Sequence, residues 1–147
     1  MQNLTKPTKD KDIKRSWHLI DVNDAILGRT ATKVAALLMG KNKPYFAKNM
    51  DCGDYVVIIN AKKVKVTGNK EKNKVYTSYS GYSGGLKSAR LEEVRAKKPT
   101  EIMRHAVSGM LPKNKLRDQF LKRLYIFAEA EYPYADKFQK GKGESGK

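Results

Sequence analysis

The stretch Asp54-Tyr55-Val56-Val57-Ile58-Ile59-Asn60-Ala61 decides the fold. Tyr55 to Ile59 are apolar without a break, and four of these five residues are β-branched. Branching at Cβ restricts χ1 and favours extended chain over helix. A half-buried strand would alternate in polarity. An unbroken run predicts a strand covered on both faces, as in a parallel sheet flanked by helices. Directly after it come Lys62, Lys63, Lys65, Lys70, Lys72 and Lys74, opposed only by Glu71. A dry strand feeding a basic segment is the pattern of the whole chain.

That pattern extends to the composition. The chain has 147 residues, 31 Lys and Arg against 15 Asp and Glu, a formal charge of +16 and 39% hydrophobic residues. The length fits one ordinary domain, large enough to bury a core without disulfides or metals. An imbalance of this size repels itself in the compact state, and binding a phosphate polyanion is the usual reason it is tolerated. Cys52 is the single cysteine, so no intramolecular disulfide framework exists. His18 and His105 stand far apart and supply no zinc-ligand spacing. No apolar run approaches the roughly 18 residues needed to span a membrane. Met1 to Arg15 is polar and charged, unlike a secretory signal, so a reduced intracellular compartment is expected.

Upstream of the central run, Trp17 to Val22 reads as a first strand. Asn23 and Asp24 make a turn and an N-cap for a helix carrying Leu27, Ala31, Val34, Leu37 and Leu38. Gly40 fits its C-terminal cap and Pro44 bars continuation. Arg29 and Lys33 share one helix face. Lys41, Lys43 and Lys48 follow, interleaved with Tyr45 and Phe46, a mixture that suits a nucleic-acid surface. Downstream, Val64 to Thr67 and Lys74 to Ser80 alternate, which predicts a hairpin between them with Lys70 and Lys72 at its tip. Leu91 and Val94, then Ile102, Ala106, Val107 and Met110, predict two helices divided before Pro99. A third helix carries Leu116, Phe120, Leu121 and Leu124 with Lys113, Lys115, Arg117, Lys122 and Arg123. Leu124 to Ala128 is the last strand candidate. Lys140 to Lys147 is a low-complexity Lys/Gly run.

Gly81 to Ser88 comes close to a phosphate-binding loop but puts Leu86 where the second glycine of that cradle must stand. A glycine-rich loop that lets an RNA backbone approach is the better reading. A nucleotide-handling enzyme on an α/β sheet is the alternative. No Ser or Cys lies in a nucleophile setting, and Asp51 and Asp54 read as strand-start carboxylates paired with nearby lysines. The residues themselves therefore point to a basic α/β domain that binds RNA or DNA without catalysis, metal or cofactor.

Several segments then resemble one known family. They are Ile26-Leu27-Gly28-Arg29, Gly40-Lys41-Asn42-Lys43, Asp51-Cys52-Gly53-Asp54-Tyr55-Val56, Val66-Thr67-Gly68-Asn69-Lys70, Ser80-Gly81 with Gly84-Gly85 and Lys87, and Gly109-Met110-Leu111-Pro112-Lys113. In order and type they are similar to the universal large-subunit ribosomal protein family thirteen, in its bacterial-type branch. The resemblance implies an α/β, three-layer fold with a small, mostly parallel four-stranded sheet flanked by helices, basic loops and tails. It implies a structural role in the large ribosomal subunit of the cytoplasm, with binding of large-subunit rRNA, early action in subunit assembly and contacts to neighbouring ribosomal proteins. No small-molecule substrate and no membrane partner are expected. Lys41, Lys43, Lys70, Gly84, Gly85, Lys87 and Lys113 map onto the family's rRNA-facing segments. The charge pattern adds Arg29, Lys62, Lys63, Lys74, Lys115, Arg117 and Arg123, with Tyr79 as an aromatic contact. Residues 1–15 read as a basic extension, 16–130 as the rRNA-binding domain and 131–147 as a Lys/Gly-rich tail. Both ends are expected to order only on RNA. The sequence departs from the family at Met50, Cys52 and Tyr132-Pro133-Tyr134.

Overall fold

The computed structural model describes residues 7–139. Strand β1 (Trp17–Asp21) leads to helix α1 (Leu27–Met39), which returns the chain to β2 (Tyr55–Ile59). A one-turn helix α2 (Lys70–Asn73) precedes a hairpin of β3 (Val75–Tyr79) and β4 (Leu86–Arg90). Helices α3 (Leu91–Lys97), α4 (Pro99–Met110) and α5 (Leu116–Lys122) follow, then β5 (Leu124–Ile126) and α6 (Ala135–Gln139). Strands β1, β2 and β5 form a parallel sheet with β2 in the centre. The fold is α/β with a mostly parallel sheet flanked by helices. Among the described residues the strands divide three and two between the parallel sheet and the antiparallel hairpin.

The unbroken apolar run has a simple cause. Val56 and Ile58 point into the main core with Val22, Val34, Leu38, Ile102, Val107 and Leu124. Val57 points to the opposite face and is also fully buried. That second face is covered by aromatic rings. Trp17 stacks on Tyr55 with ring centroids 4.4 Å apart, and Tyr134 lies 5.4 Å from Trp17 and 4.6 Å from Tyr125. Tyr134 comes from the segment after residue 130, so that part of the C-terminal stretch forms a layer on the sheet. Residues 7–15 also touch the domain: Thr8 donates to the Tyr45 carbonyl, and Arg15 donates to the Gly53 carbonyl at 2.7 Å. The expectation of RNA-dependent order for 1–6 and 140–147 lies outside the described residues.

Two local expectations are corrected. The hairpin pairs Val75–Tyr79 with Leu86–Arg90, and the 64–67 segment is not its partner. That segment is engaged elsewhere, because Lys65 bridges in parallel to Ile26 and its carbonyl accepts the Leu27 N–H at 2.8 Å. The chain reverses instead at Gly81 and Gly84, both at positive φ, and Lys70 and Lys72 lie on the one-turn helix rather than at a hairpin tip. Ile26, not Asn23 or Asp24, caps α1, with no side-chain bond, since the Lys65 carbonyl satisfies the first amide. The last strand candidate does begin at Leu124, as β5, and α5 ends before it at Lys122. The C-terminus of α1 follows the expectation: Gly40 has φ +76, and its N–H reaches back to the Leu37 carbonyl at 3.1 Å.

Candidate nucleic-acid interface

An open groove of about 660 Å³ lies between the start of α1, the 66–74 segment and α4. Arg29, Lys70, Lys74 and His105 contribute its charged and titratable side chains, and no carboxylate lines it. Arg29 stands 41 positions from Lys70 and 45 from Lys74 in sequence, and the bond from Lys65 to the start of α1 brings their segments together. Leu27 and Gly28 of the first turn of α1 line the same groove, and that turn contains no acidic residue. The helix dipole therefore adds to the positive field there. Lys74 also lies over the Tyr76 ring at 5.4 Å, and His105 meets Tyr76 edge-on at 4.9 Å.

The segment carrying Lys62 to Lys74 is held by an arginine that sequence reasoning did not single out. Arg95 of α3 donates to both carboxylate oxygens of Glu71 at 2.7 and 3.0 Å. Its remaining nitrogen reaches the Lys62 and Val64 carbonyls at 3.1 and 2.9 Å. The one carboxylate of the basic segment is thus turned onto a structural cation, and Lys62, Lys63, Lys70 and Lys74 stay exposed. Lys62 and Lys63 sit on a 3-10 turn (Ala61–Lys63) after β2 and do not line the groove. The signal in sequence was Glu71 itself, an isolated acid among lysines.

The hairpin presents Tyr79 and Tyr82, both largely exposed, together with Lys87. Gly84 has φ +73 and open space where a Cβ would stand. Gly85 is different: a Cβ there would fall 2.9 Å from the Tyr82 carbonyl oxygen and 1.9 Å from Ser80 Oγ, so the tight turn favours glycine. Leu86 is a strand residue paired with Tyr79. The glycines thus close a hairpin and do not join a strand to a helix, which removes the phosphate-loop alternative.

Two predicted contact residues are turned inward. Lys43 Nζ donates to Asp54 Oδ1 at 2.5 Å and to the Cys52 carbonyl at 2.9 Å. Arg123 is buried and pairs through both terminal nitrogens with the Asp51 carboxylate, while Nε reaches the Asp54 carbonyl at 3.4 Å. Burial pushes both carboxyls up. It is outweighed at Asp51 by the hydrogen bonds and charge of Arg123. At Asp54 it is outweighed by Lys43, the Ser16 amide and His18, so both lie below the usual carboxylate range. Asp51 and Asp54 are thus paired with cations, arginine as well as lysine. Arg117 is half-buried, with Nη2 on Ser108 Oγ at 2.6 Å. Lys41, Lys113 and Lys115 remain exposed. Among the described residues, no cluster of three His, Cys, Asp or Glu side chains is placed to hold a metal, and no helix is long and apolar enough to cross a membrane.

The chain has relatives among known proteins. Residues 15–133 match the family model described as Ribosomal protein L13. The chain is 50% identical over 129 residues to "Large ribosomal subunit protein uL13" of Solibacter usitatus, covering 88% of this chain and 90% of that one. It is 48% identical over 131 residues to the protein of the same name from Dehalococcoides mccartyi, covering 89% and 92%. It is 48% identical over 134 residues to that of Mycoplasmopsis synoviae, covering 91% and 92%. With the matched segment spanning both sheets and the cation-lined groove, the chain belongs to the ribosomal protein L13 family.

Proposed function

We propose that this chain is a structural constituent of the large ribosomal subunit in the cytoplasm, that it binds large-subunit rRNA, and that it acts early in assembly of the subunit beside neighbouring ribosomal proteins. The family is one of ribosomal components, so the reading is structural and not enzymatic. The observation that carries the RNA part is the groove of Arg29, Lys70 and Lys74 without a facing carboxylate. Phosphates neutralised there release their counterions, which drives binding and makes it fall with salt. Lys41, Lys62, Lys63, Lys87, Lys113 and Lys115 extend the cationic surface. Tyr79 stands ready to stack on a base, and the open Gly84 position lets a backbone come close. In this reading residues 16–130 form the rRNA-binding domain, preceded by the basic extension 1–15 and followed by the Lys/Gly-rich stretch 131–147.

The test is sedimentation of cell lysate with quantitative detection of the chain across the gradient. One copy per large subunit, retained through a moderate-salt wash, is the expected result. Residence in the light fractions would reject the reading, since loosely adsorbed basic proteins leave RNA steeply as salt rises.

A further inference from the structure

A second groove lies beside the cation-lined one and has a different chemistry. It holds about 400 Å³ between the loop after α1 and the connection from α4 to α5. Its walls are Met39, Phe46, Met50, Met110, Leu111 and Phe120. Lys41 and Lys48 stand at its rim and no carboxylate lines it. Asn114 also faces it, with Oδ1 accepting the Leu116 N–H at 3.1 Å, so its amide NH2 is the end presented as a donor. Met110, 41% exposed, borders both grooves.

We propose that this apolar groove takes one extruded nucleobase of single-stranded RNA, with the flanking phosphates held by Lys41 and Lys48. The floor of thioethers and phenyl rings suits the face of a base, through soft dispersion contacts and stacking. It does not suit a phosphate, which loses its hydration there without gaining donors. The charge pattern selects the occupant. Lys41 and Lys48 line this groove, and Arg29, Lys70 and Lys74 line the adjoining one that shares Met110, so a base entering the groove leaves its backbone among cations on both sides. Asn114 is placed to donate to an acceptor on the base edge.

This inference rests on the RNA-binding reading, and the experiment separates the two. The full chain, labelled at its methionine methyls, is titrated with a single-stranded adenylate octamer and with an octamer of the same sugar–phosphate backbone lacking bases. Met103, fully buried in the main core, is the internal reference. Upfield ring-current shifts at Met50 and Met110 with the adenylate octamer only, and none at Met103, are expected. Equal shifts with both octamers would mean that the lysines bind phosphate and the groove stays empty. No shift at Met50 or Met110 with either would overturn the proposal and assign the groove to an apolar side chain of a protein neighbour. As a second measurement, Ala47→Trp fills the groove from its wall. It is expected to weaken binding to a large-subunit rRNA transcript by about 10-fold with the salt dependence unchanged. Wild-type affinity in that variant also rejects the groove. If the unaltered chain fails to bind the transcript, the rRNA reading falls, whereas the octamer titration still reads the groove by itself.

Discussion

Arg123, just before β5, and Asp51, just before β2, stand 72 positions apart in sequence and meet fork to fork, each side chain mostly shielded from water. The pair ties two adjacent parallel strands together at their entry ends. Arg123 adds a bond to the Leu38 carbonyl at the end of α1, 3.3 Å away. A cation that sequence reads as a phosphate contact is therefore a strut of the fold.

Arg123→Ala is expected to destabilise the chain by about 3–5 kcal/mol, because Asp51 is left charged and shielded without its partner. Chemical denaturation measures this. The salt dependence of RNA binding by whatever remains folded should be that of the unaltered chain, since Arg123 neutralises no phosphate in this arrangement. A shallower slope would place Arg123 in the interface after all.

Acid should unfold the chain through the same network. Asp51 and Asp54 both have carboxyls held below their ordinary value of 3.8 in the folded state. The stability they contribute is thus fully present above that ordinary value and is lost as the pH falls through the lowered folded values. Thermal unfolding followed from pH 6 down to pH 2 should show a steep fall below about pH 4. Asp51→Asn should start from a lower stability and show a shallower fall. An identical pH profile for the variant would exclude Asp51 as a contributor.

Arg29→Ala, Lys70→Ala and Lys74→Ala are expected to weaken RNA binding across all sequences. Each should reduce the slope of log affinity against log salt by about 0.7–1. Their folding stability should change by less than about 0.5 kcal/mol, because all three side chains are exposed. Filter binding at several salt concentrations checks the first part and denaturation the second.

Arg95→Ala should loosen the basic segment without removing a phosphate contact. The Lys62 and Val64 carbonyls and the Glu71 carboxylate lose their shared donor, a cost of about 1–3 kcal/mol. Hydrogen exchange should accelerate at residues 61–74 ahead of β2. Uniform acceleration over the whole chain would show that Arg95 supports global stability only.

Tyr134→Ala should expose the lone tryptophan. Trp17 loses a stacked neighbour, worth about 0.5–1.5 kcal/mol, and its emission should move to longer wavelength in the folded protein. Unchanged emission would mean that the segment after residue 130 does not cover the sheet in solution.

The central strand was legible because its reason is local. Five consecutive apolar residues, mostly β-branched, admit one geometry, and their continuity reports burial on both faces. The spacing of Leu27, Ala31, Val34 and Leu38 fixed α1 in the same way, with Gly40 at its left-handed end. The hairpin partner differs from the sequence reading because 64–67 alternates in polarity while 86–88 reads as part of the glycine-rich loop, and only the bond from Lys65 to the start of α1 takes 64–67 out of competition. The aromatic layer was invisible because its rings, Trp17, Tyr55, Tyr125 and Tyr134, are scattered over 118 positions of sequence.

Composition alone determined that the surface is cationic and suited to a polyanion. Which cations are free was decided by tertiary structure. A charge is committed when a carboxylate distant in sequence is brought within bonding reach and the pair is shielded from water. Lys43 meets Asp54 and Arg123 meets Asp51 in this way, and Arg95 holds the more exposed Glu71 through a two-pronged pair, whereas Arg29, Lys70 and Lys74 converge on a groove that holds no carboxylate. No count of charges along the chain contains that distinction, because it depends on how the sheet and helices fold those carboxylates inward.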